Sequence, residues 1–208
     1  GGEPRFEGLD FSGGGNTVRG LVLNSTTTGS PAGALSFAIN GNNTIIGNFL
    51  GTDVSGTLQR GNNVGVNLLQ VADNRIGGTA PGDRNVIVAV SAHGAFYGIL
   101  IHESLRTLVQ GNYIGTNAAG TTALAPEATG INVSSSSNSI IGGTASGAGN
   151  VISGNKVGIA LGDVLASNNV IQGNIIGLDA SGSYAVANPD YGIFESGQGT
   201  VIGGTDAD

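Results

Sequence analysis

The chain has no cysteine, no methionine and no tryptophan, and only 10% of its residues are charged. Without cysteine there is neither a disulfide framework nor a thiolate metal site. Seven Lys and Arg against fourteen Asp and Glu give a formal net charge of −7. That balance supplies no basic patch for a phosphate backbone, so nucleic acid is not expected as a partner. No apolar run approaches the roughly 18–20 residues of a membrane-spanning helix, so membrane insertion is not expected either. Proline occurs only five times and glycine follows no every-third spacing, which excludes a collagen-like helix. Disorder is disfavoured because 39% of residues are hydrophobic and the Ile, Val and Leu recur in register. An acidic, Lys-poor, Cys-free composition fits a secreted or cell-surface bacterial protein. With no signal peptide and no initiator Met, the sequence reads as a processed chain or an excised piece.

What is abundant is glycine, 39 of 208 residues, and much of it sits inside repeated phrases. Gly47-Asn-Phe-Leu-Gly-Thr-Asp returns as Gly111-Asn-Tyr-Ile-Gly-Thr-Asn and again as Gly173-Asn-Ile-Ile-Gly-Leu-Asp. Interleaved with it are Ile76-Gly-Gly-Thr, Ile141-Gly-Gly-Thr and Ile202-Gly-Gly-Thr. The first phrase recurs after 64 and 62 residues and the second after 65 and 61. Such self-similarity marks a stack of like units, none of which can bury its apolar face alone.

Finer alignment halves the period. Asn43-Thr-Ile-Ile-Gly, Asn74-Arg-Ile-Gly-Gly, Thr107-Leu-Val-Gln-Gly, Asn138-Ser-Ile-Ile-Gly, Asn169-Val-Ile-Gln-Gly and Thr200-Val-Ile-Gly share an apolar position. It falls at Ile45, Ile76, Val109, Ile140, Ile171 and Val201, in steps of 31, 33, 31, 31 and 30 residues. Val18 reads as one earlier coil, so the stack holds about six and a half coils. Two further sets complete each coil: a Gly-Ile type such as Gly98-Ile-Leu-Ile, and an Asn type such as Asn112-Tyr-Ile. The runs are too short and too β-branched for helices, and Gly punctuates them every few residues.

Three short strands per coil of about 31 residues, each pairing with its counterpart one coil away, predict an all-β, single-stranded parallel β-helix. The whole chain, 1–208, is then one solenoid domain, with 1–15 an incomplete first coil. Six coils span about 29 Å, and the crossover preference predicts a right-handed course. Leu35, Val66, Ile99, Ile131, Ile159 and Ile193 should form one inward column, and Asn48, Asn85, Asn112, Asn150 and Asn174 an amide ladder. Odd coils carry a longer excursion after the third strand (52–63, 116–129, 178–190), even coils one between the second and third (79–84, 144–149).

The phrases Asn43–Thr57 and Asn150–Asn155, with their repeats over roughly 16–205, resemble the right-handed parallel β-helix repeats of large secreted bacterial surface proteins. Those repeats usually sit inside longer chains, which implies a fragment of a longer repeat protein. The same pectate-lyase-like architecture serves pectate lyases, polygalacturonases and alginate epimerases, and the resemblance points to the outer face of the first strand as their working surface. None of their catalytic motifs is recognisable here.

Alternation places Ser36, Asn67, Leu100, Asn132, Ala160 and Phe194 outward on the first strands, followed by Ala38, Leu69, His102, Ser134, Gly162 and Ser196. Paired carboxylates for hydrolysis are missing from these two rows. The catalytic candidates are His102, Glu103 and Arg106, which supply a base, an orienting carboxylate and a cation just after one strand. Asp163 and Glu195 follow the corresponding strands farther along and suggest a shallow acidic groove. Phe49, Val86, Tyr113, Val151 and Ile175 form an outward apolar stripe on the third strands, so Phe49, Tyr113 and Ile175 are binding candidates if it is open. Asp53 and Asp179, with Asn117 between them, occupy matching places in the odd excursions. Oxygen-rich turns can hold Ca²⁺, but one carboxylate per loop favours turn stabilisation, so no metal ligand or cofactor is assigned.

These features favour a rigid extracellular scaffold or adhesin-type module contacting a polysaccharide or other cell-surface polymer. The alternative is a polysaccharide-active enzyme, a lyase, glycoside hydrolase or epimerase. Open coil ends expose such a chain to self-association.

Overall fold

The computed structural model describes residues 8–24, 33–90 and 96–204. Residues 1–7 of the expected incomplete first coil, and Thr205 of the last Ile-Gly-Gly-Thr phrase, lie outside them. Among the described residues there are twenty short strands and no α-helix, only one 3₁₀ turn at Pro81–Asp83. The strands sort into three parallel sheets of seven, seven and six members, each strand pairing with its counterpart in the next coil. The fold is a parallel β-solenoid with six three-stranded coils and two strands of a seventh. The first coil already has its three strands at Leu9–Phe11, Thr17–Arg19 and Val22–Leu23.

Period-two alternation does what it predicts on the first sheet. Leu35, Val66, Ile99, Ile131, Ile159 and Ile193 run in register. All but the last are fully buried, and Ile193 packs against the same core from the end coil. A single apolar cluster from Val18 to Ile171 fills the solenoid interior.

The second sheet corrects the alignment at two places. Its inward column is Ile45, Ile76, Val109, Ile141, Ile171 and Ile202, not Ile140 and Val201. The cause is the corner ahead of the strand. Asn42, Asp73, Arg106, Asn138 and Asn168 all hold left-handed backbone angles there, with φ between 52° and 62°. Asparagine tolerates that conformation at low cost. Asn138 is therefore a corner residue, and Ser139 occupies the place that Asn43 and Asn74 hold in their coils. The shift turns Ile140 outward, at 40% exposure, in line with Leu108 and Val170; in the last coil Thr200 already holds the place of Asn43, so Val201 joins that outward row and Ile202 pairs with Ile171.

The expected amide ladder runs along the next corner. Asn48 Nδ2 donates to Asn85 Oδ1, Asn85 to Asn112, Asn112 to Asn150 and Asn150 to Asn174, at 2.8–3.0 Å. Each Oδ1 also accepts the backbone N–H of the preceding Asn, and each Nδ2 reaches back to a carbonyl of the preceding coil, Asn112 to Ile76 O for example. A second, shorter ladder joins Asn16, Asn43 and Asn74. It stops at Thr107, whose buried Oγ1 has no partner among the described residues.

The odd excursions are small hairpins closed by Thr52–Gln59, Thr116–Ala123 and Leu178–Ala185 bridges. They touch across the intervening even coils: Ala118 N donates to Gly56 O and Ala180 N to Gly120 O, both at 2.9 Å. This ridge roofs the third sheet.

Candidate functional site

Two surfaces present grouped chemistry, and both follow from the corner and strand geometry above. The first is the corner that ends the first-sheet strands. His102 and Ser134 are in register at the last outward position of Tyr97–His102 and Ala125–Ser134. Beyond them, Gln70, Glu103 and Ser135 adopt left-handed angles, so the chain turns sharply and lifts their side chains onto one ridge. A polar row results. Gln70 Nε2 donates to Glu103 Oε2 at 2.6 Å, Glu103 Oε1 lies 3.7 Å from His102 Nε2, and His102 Nδ1 sits 3.3 Å from Ser134 Oγ. Ser134 Oγ then donates to Asp163 Oδ2 at 2.9 Å.

The direction of these bonds decides what the row can do. Ser134 spends its one proton on Asp163, so the contact with His102 requires the imidazole Nδ1 to be the donor. A Ser–His nucleophile needs the reverse polarity, with the ring nitrogen accepting the hydroxyl proton. Asp163 is likewise occupied. Its Oδ2 accepts from Ser134 Oγ, Ser135 N and Ser135 Oγ, and its Oδ1 from Leu165 N and Ala166 N. Burial pushes this carboxyl up, but the bonds from Ser134, Leu165 and Ser135 together outweigh it and hold the pKa below the ordinary aspartate value.

The three catalytic candidates do not converge. Arg106 turns to the preceding coil, where Nε and Nη2 grip Asp73 at 2.7 and 2.8 Å. The hydrogen bond from Arg106 holds Asp73 below the usual carboxylate range against desolvation, and the charge of the guanidinium adds a smaller pull in the same direction. Glu103 and His102 stay together but without that cation. Glu195, the other acidic candidate, is exposed and accepts from Thr200 Oγ1 at 3.3 Å. Among the described residues no group of three His, Cys, Asp or Glu side chains is placed to hold a metal ion.

The aspartates of the odd excursions are engaged in their own turns. Asp53 Oδ1 accepts the N–H groups of Thr57 and Leu58, and Asp179 Oδ1 those of Ser183 and Tyr184. Asn117 does the same for Thr121 and Thr122 with its amide oxygen. Both aspartates sit below their ordinary pKa, chiefly through the backbone bonds from Leu58 and Tyr184 respectively.

The third-sheet stripe lies beneath the excursion ridge. Val86 and Val151 are buried, while Phe49, Tyr113 and Ile175 are half-buried. Gly56 packs on the Phe49 ring and Gly120 on the Tyr113 ring, and the Arg84 guanidinium lies over the Tyr113 ring at 4.0 Å.

The second surface, which the repeat pattern did not single out, is the outer face of the first sheet near its last coil. Tyr191 and Phe194 form a tilted aromatic pair with ring centroids 5.4 Å apart. They are 53% and 42% exposed. Phe194 lies in register with Ala160 and Asn132. The neighbouring coil places the small residues Ala160 and Gly162 beside Phe194, and the exposed Lys156, 3.8 Å from Asp190, stands next to Val157, the partner of Tyr191. Space at Gly162 is free of other atoms except Asn132 Nδ2, 3.8 Å from where a Cβ would stand. The sequence places Phe194, Ala160 and Gly162 at outward positions, whereas Tyr191 shares the parity of the inward Ile193, so alternation alone does not bring the two rings together. The repeat pattern put Phe194 in the outward row and gave no reason to pair it with Tyr191.

Comparison with family models, with curated proteins and with solved structures returns no match to this chain.

Proposed function

We propose that this chain is a rigid extracellular module that contacts carbohydrate without turning it over, using the outer face of the first sheet. The observation that supports this reading best is the exposed Tyr191–Phe194 pair, with the small Ala160 and Gly162 on the neighbouring strand. Aromatic faces stack on the apolar faces of sugar rings, and an amide such as that of Asn132 supplies a hydroxyl partner. A solenoid holds these groups on paired strands, so little ordering is needed on binding. The composition and the resemblance to secreted bacterial surface repeats agree with a cell-surface setting. Glu103, Asp163 and Glu195 border this face, and Arg106 at the same corner is committed to Asp73. A neutral glycan therefore suits the surface better than a uronate. The enzymatic alternative is disfavoured by the separation of Arg106 from His102 and Glu103, and by the saturated carboxylate of Asp163.

The test is binding of neutral polysaccharides by the intact chain and by Tyr191→Ala and Phe194→Ala. Each substitution is expected to weaken binding at least about tenfold, the loss of one stacking surface. Unchanged affinity in both would move the contact elsewhere.

A further inference from the structure

We infer that Asn40-Gly41 is a site of spontaneous covalent modification, where the asparagine loses its side-chain amide and the chain is partly converted to isoaspartate. This is the only Asn-Gly step in the sequence. Succinimide formation needs an unhindered peptide nitrogen following the asparagine, and only glycine lacks the Cβ that would crowd that approach.

The surroundings favour the step. Asn40 is exposed, and it follows Ile39, which holds φ 78° in a tight turn closed by Asn40 N donating to Ala38 O at 3.0 Å. Gly41 accepts from Gly15 N at 3.0 Å, but among the described residues no backbone acceptor takes the Gly41 N–H. That nitrogen is therefore not held in the ladder, and no backbone bond must break for it to move. The turn also lines a shallow groove of about 480 Å³ with Gly14, Gly15, Asn42, Ala72 and Asp73, so water reaches it.

The chemistry balances with water alone. The Gly41 nitrogen, on losing its proton, attacks Asn40 Cγ. The N–Cγ bond forms, the Cγ–Nδ2 bond breaks, and Nδ2 departs as ammonia carrying the proton. Water then opens the imide on either side. Cleavage of the new N–Cγ bond leaves an ordinary aspartate. Cleavage of the original peptide bond leaves the backbone running through the side-chain carbons as isoaspartate.

Both products weaken the attachment of the first coil. Asn40 Nδ2 donates to Ser12 O at 2.8 Å, a side-chain tie between the first and second coils, and a carboxylate cannot make that bond. The isoaspartate also inserts an extra backbone atom at a corner with no slack. A Cβ on Gly41 would stand 1.8 Å from Ala72 O, and Asn42 N donates to that same oxygen at 2.8 Å.

The experiment is peptide-resolved mass spectrometry of the folded chain after incubation in mildly alkaline buffer, with an isoaspartyl methyltransferase as a second readout. The urea-unfolded chain and Asn40→Gln serve as controls. The expected result is amide loss concentrated at Asn40 in the folded chain, methyl acceptance with the same time course, and neither at that position in Asn40→Gln. The modified molecules, and Asn40→Asp as their stand-in, should show faster hydrogen exchange over residues 9–11 than the untreated chain. Retention of the Asn40 amide in the folded chain while the unfolded chain loses it would overturn the proposed site. Amide loss with unchanged exchange over residues 9–11 would overturn the proposed loosening.

Discussion

At the scale of single residues, the asparagines and aspartates of this chain act as local hydrogen-bond clamps. Asn112 shows how much one side chain can hold. Its Oδ1 accepts from the backbone and side chain of Asn85, and its Nδ2 donates to Ile76 O and Asn150 Oδ1. Asn112→Ala leaves several of these buried groups unpaired, and each such group costs about 1–3 kcal/mol. A loss of roughly 3 kcal/mol or more is expected in urea unfolding, and a loss below about 1 kcal/mol would contradict the ladder's role. The aspartates predict an acid limb. Asp53, Asp73, Asp163 and Asp179 are all held below their ordinary pKa in the folded chain. The unfolded chain therefore binds more protons as the pH falls through the carboxylate range. Their stabilising contribution is complete above the unfolded value of about 3.9 and is lost below it as each folded pKa is crossed. Thermal melts across pH should fall on acidification, and Asp163→Asn should make that fall shallower. A melting temperature that rises toward acid would contradict the assignment.

At the scale of elements, the solenoid alternates two kinds of coil, and the odd excursions protect the even ones. Gly120 shows the fit. Its φ is 70°, and a Cβ there would stand 2.6 Å from Ala180 Cβ and 3.0 Å from the Tyr113 ring. Gly120→Ala should cost about 1–3 kcal/mol through overpacking, with Tyr113 becoming more accessible to solvent by fluorescence quenching. A neutral effect with an unchanged tyrosine signal would mean that the ridge is not a packed layer. Much of this layer was legible in the sequence, because short strands, most of them two to six residues long, leave little freedom once Gly and Asn fix the corners. The first-sheet column and the Asn48–Asn174 ladder follow from period and residue type alone. Ile140 and Val201 did not, because each neighbours a second apolar residue that fits the core equally well. Only the backbone shows that Asn138 is spent on the left-handed corner. The candidate site was less legible for a related reason. His102, Glu103 and Arg106 are close in sequence, but a three-residue corner sends Arg106 to the coil before.

At the scale of the whole molecule, the three sheets make a stiff rod whose outer faces differ in kind. The third is roofed by excursions. The second carries the outward apolar row of Leu108, Ile140, Val170 and Val201. The first has the aromatic pair and the polar ridge, and it is the face on which the proposed carbohydrate contact rests. The most direct test is one polysaccharide array on the intact chain, read at once for retained polymer and for released reducing or unsaturated ends. The account predicts retention of neutral glycans with no product, and loss of that retention in the Tyr191→Ala, Phe194→Ala double variant. Release of product, or retention indifferent to both aromatic rings, would contradict it.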